Sequence, residues 1–321
     1  MNIVFMGTPD FAKENLEAIY KTEHHILGVV TNPDRPQGRG MKLIPSEVKQ
    51  FALEKELKIY QPEKIKKNRE FIEEIKQLKP DLICVVAYGT ILPKEILEIP
   101  PYGCINVHAS LLPKYRGAAP IQWAVLNGDK TTGVTTMYMD KGMDTGDIIL
   151  TEETEIGEDE TTGELWDRLA KMGGKLLVKT IEQIEQGVAP RKKQGENFTI
   201  APMLSKEMAE INWETKTAEE IKNLVRGLNP IMGAYTFLNG KKIKFWKVDI
   251  AKEGEITIET EIASKKNGMV IFSDQKQGLF IKTKQGILKV IEIQGENAKK
   301  MKIQDFLRGN PIQKFEIFCD K

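Results

Sequence analysis

The chain has 321 residues, enough for two domains, with 40% hydrophobic residues, 29% charged residues and a formal net charge of +1. That is the composition of a soluble globular protein, and no window holds the roughly 18 apolar residues that a membrane span needs. The charge is uneven: residues 201–321 carry 21 Lys+Arg against 16 Asp+Glu, so the last third is mildly basic and the front acidic, which fits a tail that meets a polyanion or simple compositional scatter. Cys84, Cys104 and Cys319 are scattered, form no C-x-x-C and cannot all pair. A reducing, cytoplasmic setting is expected, and a cysteine-based zinc site is not.

Met1 to Phe11 lacks a basic leader and meets Pro9 and Asp10 at once, so it reads as a first strand rather than a signal peptide. Asn2 to Met6 predicts that strand; Thr8 is placed to cap a helix that Pro9 begins and that Ala12, Leu16, Ile19 and Tyr20 mark at helical spacing. The G-x-G-x-x-G fingerprint is absent, which disfavours a dinucleotide site. Ile26 to Thr31 predicts a second strand, followed by a Gly-, Pro- and Arg-rich loop from Asn32 to Lys42 that suits either a solvated turn or a mobile anion grip. Ser46 is placed to cap a helix carrying Val48, Phe51 and Ala52; Ile59-Tyr60 is a short strand; Phe71, Ile72, Ile75 and Leu78 mark another helix. Asp81 to Ala87 reads as a central parallel strand buried on both faces. A strand at Ile105, a helix from Pro120 to Asn127, strands Val134–Met139 and Ile148–Thr151, and a long helix opened by a Thr161/Glu164 capping box complete the front of the chain.

This alternation over residues 1–188 predicts an α/β fold with a doubly wound, mostly parallel sheet. Residues 189–205 read as a basic linker. Beyond it the pattern changes to one capped helix, Thr217 to Leu228, and then short strands: a hairpin about Asn239-Gly240, then Glu255–Ile262, Gly268–Ser273, Gly278–Lys284 and Ile287–Gln294. Residues 206–321 therefore predict a C-terminal OB-like β-barrel, a fold that commonly binds nucleic acid.

The stretch from Cys104 to Gly117 carries the chemistry. If Ile105 to His108 is extended, Asn106 and His108 share one face at a strand end, where open α/β sheets put their ligands. Asp144, in a Gly-flanked loop, is the candidate carboxylate. A lone His is more often structural than catalytic, and Asp144 suits a turn, so residue types alone leave both readings open. There is no G-x-S-x-G elbow, H-E-x-x-H or P-loop lysine. Asn, His and Asp without a nucleophile suit transfer between two bound substrates. Asn106 would donate to a developing oxyanion, as would His108 if protonated, and Asp144 would hold or charge the imidazole or relay a proton through water.

The run from Asn106 to Pro120 (NVHASLLPKYRGAAP) resembles the signature of the 10-formyltetrahydrofolate-dependent formyltransferases, and Asp140 to Ile148 resembles that family's second motif. Gly7 to Phe11, the loop from Asp34 to Gly40 and the C-terminal segments at Ile211 to Trp213 and Gly240 to Lys247 resemble the members that formylate methionyl-tRNA. The resemblance implies a Rossmann-like formyltransferase domain with Asn106, His108 and Asp144 as catalytic residues. It implies 10-formyltetrahydrofolate as co-substrate, contacted by Ser110, Leu111, Leu112, Pro113, Thr90 and Leu92. It also implies initiator methionyl-tRNA as partner, with Arg39 and Lys42 in the acceptor-end loop. Lys241, Lys242, Lys244 and Lys247 are expected phosphate contacts, weighed against the solvated edge that a Lys-rich strand usually is. No metal, membrane or obligate protein partner is implied. A formyltransferase for a small amine, a formyltetrahydrofolate hydrolase and a non-catalytic RNA-binding module are the competing readings.

Overall fold

The first strand, β1 (Asn2–Gly7), lies between β2 (His25–Val30) and β6 (Leu82–Val86), parallel to both. The protein is described by a computed structural model that covers residues 1–37, 42–256 and 262–320. Five parallel strands, including β5 (Ile59–Tyr60) and β7 (Cys104–His108), are followed by antiparallel β8 (Thr131–Tyr138) and β9 (Ile148–Glu155) in the order β5-β2-β1-β6-β7-β8-β9. The order reverses between β1 and β6, which makes that crevice the switch point of the sheet. Its strands are apolar because both faces are covered: Ile3, Val4, Phe5 and Met6 are wholly buried, as are Leu82, Ile83 and Cys84. Strands β3 (Arg35–Gln37) and β4 (Lys42–Ile44) flank the undescribed loop and pair with each other outside this sheet.

Helices α1 (Asp10–Tyr20), α2 (Glu47–Glu54), α3 (Arg69–Gln77), α4 (Lys94–Leu97), α5 (Pro120–Leu126) and α6 (Thr162–Glu185) connect these strands. Ser46 caps α2 as the sequence predicts, accepting from Lys49 N at 3.2 Å, and Thr161 and Glu164 cap one another's amides ahead of α6. The expected Thr8 cap does not form. Pro9 takes the N-cap position, and the Thr8 hydroxyl accepts from Asn32 N at 3.3 Å instead. Strand β9 runs four residues beyond the predicted Thr151, because pairing with β8 holds a stretch of Glu and Thr that no apolar alternation announces. Its exposed glutamates guard the sheet edge.

The chain divides into two compact units, one formed by residues 1–121, 131–155 and 165–202, the other by 122–130, 156–164 and 203–321. In the second, α7 (Ala218–Gly227) carries the Thr217/Glu220 capping box, and its buried Ile221, Leu224 and Val225 join the core. The strands β10 (Ala234–Leu238), β11 (Lys241–Ile250), β12 (Val270–Asp274), β13 (Gly278–Lys282) and β14 (Ile287–Gln294) form an antiparallel sheet ordered β10-β11-β14-β13-β12, with β15 (Met301–Lys302) on β14 and α8 (Ile303–Gly309) after it. Asn239 (φ +51°) and Gly240 (φ +74°) make the tight turn predicted between β10 and β11. The expected strand at Glu255–Ile262 lies largely outside the described residues, and Ile262 opens a 3-10 turn. After α8 the chain bridges Phe237 through Cys319 and Met269 through Ile317, and it buries Phe318 against Trp213 and Phe245. Arg226, itself buried, donates to the carbonyls of Gly157 and Glu160 and to Asn223 Oδ1.

Candidate active site

Strand β7 ends at His108, one strand away from the switch point. The alternation read from sequence holds: Ile105 and Val107 are buried, with Val107 towards Gly173 of α6, while Asn106 is half-buried. Asn106 stands between Val85 and Met137 on the neighbouring strands, and His108 stands opposite Thr135. The Asn106 amide makes no hydrogen bond among the described residues, so both of its hydrogens are available. His108 is 6% exposed. Its Nε2 lies 2.8 Å from the carbonyl oxygen of Tyr115, which only accepts, so Nε2 carries a hydrogen. The other ring nitrogen, Nδ1, faces Asp144 Oδ2 at 3.6 Å. A proton on Nδ1 makes that contact an ion pair; a bare Nδ1 sets a lone pair against a carboxylate.

The loop after His108 is fastened at almost every polar group. Ser110 is wholly buried and donates to Lys114 O at 2.6 Å. Thr135 donates to Ser110 O at 2.6 Å and accepts from Leu112 N at 3.2 Å. Residues 199–201 then run alongside: Tyr115 N donates to Thr199 Oγ1, Arg116 N to Thr199 O, and Ala201 N to Arg116 O at 2.7–2.8 Å. Gly117 adopts φ +129°, and a Cβ there would lie 2.6 Å from Ala201 O. Only glycine meets both conditions.

Asp144 has φ +54°, a left-handed conformation unusual outside glycine. An Asx turn precedes it, with Asp140 Oδ1 accepting from Gly142 N and Thr145 Oγ1. Its Oδ2 accepts from Gly117 N at 2.8 Å, which ties the Asp144 loop to the β7 loop. Gln194 donates to the carbonyls of Asp144 and Gly146, both at 2.8 Å, and accepts from Arg116.

Of the residues expected at the co-substrate, Ser110 and Leu112 are buried, with the Ser110 hydroxyl already engaged, and Leu111 and Pro113 are half-buried. Thr90 is exposed in the turn after β6, whereas Leu92 packs in the core with Tyr88 and Ile96. Gly89 has φ +77° with open space beside it, and the amides of Thr90 and Leu92 make no hydrogen bond among the described residues. Burial pushes the Cys104 thiol up to about 12 and Cys84 further still, so neither thiol beside the site is a nucleophile. No group of three His, Cys, Asp or Glu among the described residues could hold a metal ion.

Arg39 lies outside the described residues, and Lys42 opens β4. On β11, Lys242 sits 3.4 Å over the Tyr235 ring and Lys244 5.5 Å over Trp246. Lys244 also donates to Met232 O at 2.7 Å, and burial holds its ammonium below the usual lysine range. Lys241 and Lys247 are exposed. The sequence reading missed Thr135, Arg116, Gln194 and the Gly117 amide. Backbone amides have no residue signature, and Gln194 stands in a polar run without periodicity.

An open, mostly parallel sheet with polar side chains gathered at a strand end beside its switch point defines an α/β protein built to hold substrates there. Residues 1–181 match the family described as Formyl transferase and residues 203–311 the family described as Formyl transferase, C-terminal domain; the chain belongs to the formyl transferase family. It is 47% identical over 313 residues to the methionyl-tRNA formyltransferase of Caldanaerobacter subterraneus subsp. tengcongensis, covering 97% of this chain and 98% of that one. In fold it is similar to the N-formyltransferase from Helicobacter canadensis in complex with folinic acid and dTDP-3-aminofucose, with TM-score 0.62 and 20% identity, covering 93% of this chain and 99% of that one. HypX from Aquifex aeolicus in complex with tetrahydrofolic acid shares the fold at TM-score 0.63 and 15% identity, covering 99% of this chain and 50% of that one. This chain spans about half of HypX.

Proposed function

We propose that the protein transfers the formyl group of 10-formyltetrahydrofolate to the α-amino group of methionyl-tRNA. The observation that carries this reading is near half identity, along almost the whole of both chains, to a methionyl-tRNA formyltransferase. The co-substrate supplies a formyl carbon to the amine. The amine nitrogen bonds to that carbon, the carbon–nitrogen bond to the folate breaks, and the proton the amine loses is balanced by the one the departing folate nitrogen gains. An ordinary α-amino group titrates at roughly 7.7–8.0, so a neutral nucleophile is present near pH 7 without a covalent enzyme intermediate.

The chain's part is to place and stabilise. Asn106 has both amide hydrogens free for the oxygen that gains charge. His108, held by Tyr115 O, and Asp144, held by Gly117 N, set Nδ1 and Oδ2 3.6 Å apart at the same strand end. Ser110 to Pro113 supply the wall of the folate site through their backbone and apolar surfaces. The free amides of Thr90 and Leu92 suit the polar edge of a pteridine, which gives the folate a place to fit.

In this reading residues 1–188 are the catalytic domain, 189–205 the connection, and 206–321 an OB-like domain that meets the tRNA. The C-terminal bridges to Phe237 and Met269, which link the two ends of the antiparallel sheet, support a barrel. Lys242 and Trp246 on one side of β11, with Lys241 and Lys247 exposed on the same strand, support a phosphate- and base-facing strand. The chain works in the cytoplasm; no helix of the described residues is long and apolar enough to cross a membrane.

Incubation with 10-formyltetrahydrofolate and methionyl-tRNA from initiator and elongator species tests this. Formyl transfer to the initiator species is expected. Transfer only to small amines, or formate release indifferent to charged tRNA, overturns it.

A further inference from the structure

Gln194 belongs to the polar run at 189–205, which connects regions in the reading above. Its side chain does more than connect. Both amide hydrogens are used, one on the Asp144 carbonyl and one on the Gly146 carbonyl, each at 2.8 Å. Its oxygen accepts from Arg116 Nε at 3.0 Å and Nη2 at 2.7 Å. A guanidinium can only donate, so it fixes which end of the amide faces the two carbonyls. Arg116 is itself 8% exposed and stacks on Phe198 at 4.6 Å. The next residue, Gly117, donates its amide to the Asp144 carboxylate at 2.8 Å.

Asp144 is therefore gripped twice, its carboxylate by Gly117 and its carbonyl by Gln194, and both grips start from Arg116-Gly117. The double grip accounts for a non-glycine residue held at φ +54°, a conformation that persists only where the surroundings impose it. Without Gln194 the backbone at 144–146 loses the donor that holds it there. The carboxylate then moves relative to His108 Nδ1, which sits 3.6 Å away.

We propose that Gln194 is a positioning residue for formyl transfer, acting through Asp144 and touching neither substrate. The inference rests on the reading that Asp144 works with His108. A misplacement of about 1 Å in a catalytic group costs on the order of a hundredfold. Gln194→Ala is therefore expected to lower kcat about 10- to 100-fold, with KM for folate and tRNA changed by no more than about twofold. Gln194→Glu discriminates position from packing. A carboxylate still accepts from Arg116 and keeps the fold, yet cannot donate to the carbonyls of Asp144 and Gly146. It is expected to melt no lower than Gln194→Ala while being at least as slow.

The experiment is steady-state formylation by wild type, Gln194→Ala, Gln194→Glu, Asp144→Asn and the Asp144→Asn/Gln194→Ala double variant, with a thermal melt of each. If Gln194 acts through Asp144, Gln194→Ala adds no further loss to Asp144→Asn. Wild-type kcat in Gln194→Glu, or losses that multiply in the double variant, overturns the inference. Wild-type kcat in Asp144→Asn overturns the catalytic reading of Asp144 itself. A slow Asp144→Asn beside a fully active Gln194→Ala overturns the role of Gln194 alone.

Discussion

The loop after β7 and the lysine strand β11 put polar groups to opposite uses. In the first, Ser110, Thr135, Arg116, Gln194 and Asp144 hydrogen-bond to one another or to the loop backbone and His108 bonds to Tyr115 O, while the Asn106 amide has no partner among the described residues. In the second, Lys242 rests on the Tyr235 ring and Lys241 and Lys247 stand in solvent. Under the proposed function the difference follows from what each region does. Stabilising a developing charge requires donors fixed before the reaction, whereas holding a polyanion requires positive charge nearby and tolerates mobility. Substitutions in the loop should therefore strike the rate or the fold, and those on the strand the salt-dependent affinity.

Asn106→Ala breaks the comparison most sharply. It removes the free donor without orphaning a partner, so kcat falls on the order of a hundredfold or more while the unfolding midpoint in urea holds. Gly117→Ala follows. The added Cβ meets Ala201 O, and φ +129° is strained for alanine, so about 1–3 kcal/mol of stability is lost together with activity, read by thermal denaturation and formylation of the same preparation. Ser110→Ala leaves the part-buried Lys114 carbonyl without its donor; denaturant unfolding should register about 1 kcal/mol. The smallest effects belong to β11. Lys242→Ala should weaken tRNA binding a few-fold and reduce the slope of log affinity against log salt by about 0.7–0.9, the share of one phosphate contact. Lys244→Ala should instead show mainly as about 1 kcal/mol of stability, since its ammonium is already engaged with Met232 O.

Much of the front half was legible because buried parallel strands and amphipathic helices leave periodic traces. The run at Leu82–Val86, the Ser46 cap and the face shared by Asn106 and His108 all appear where the spacing puts them. Asp144 was legible as a residue, but its approach to His108 was not, because that depends on the Gly117 amide and on Gln194, 50 residues further along. The Thr8 cap failed because Asn32, brought close by the pairing of β1 with β2, competes for the same hydroxyl. Helix α8 and the bridges at Ile317 and Cys319 went unread because a short terminal segment is organised by the sheet it meets, not by its own pattern.

In the proposed function the pair at the end of β7 performs the transfer and does not merely shape a tRNA-binding surface. Single-turnover formylation of methionyl-tRNA, with enzyme in excess, by wild type, Asn106→Ala and His108→Ala tests it most directly, with tRNA Kd measured on the same preparations. The rate should fall on the order of a hundredfold or more in each variant, with Kd within about twofold of wild type. A rate equal to wild type, or a fall matched by an equal loss of tRNA affinity, would contradict the claim.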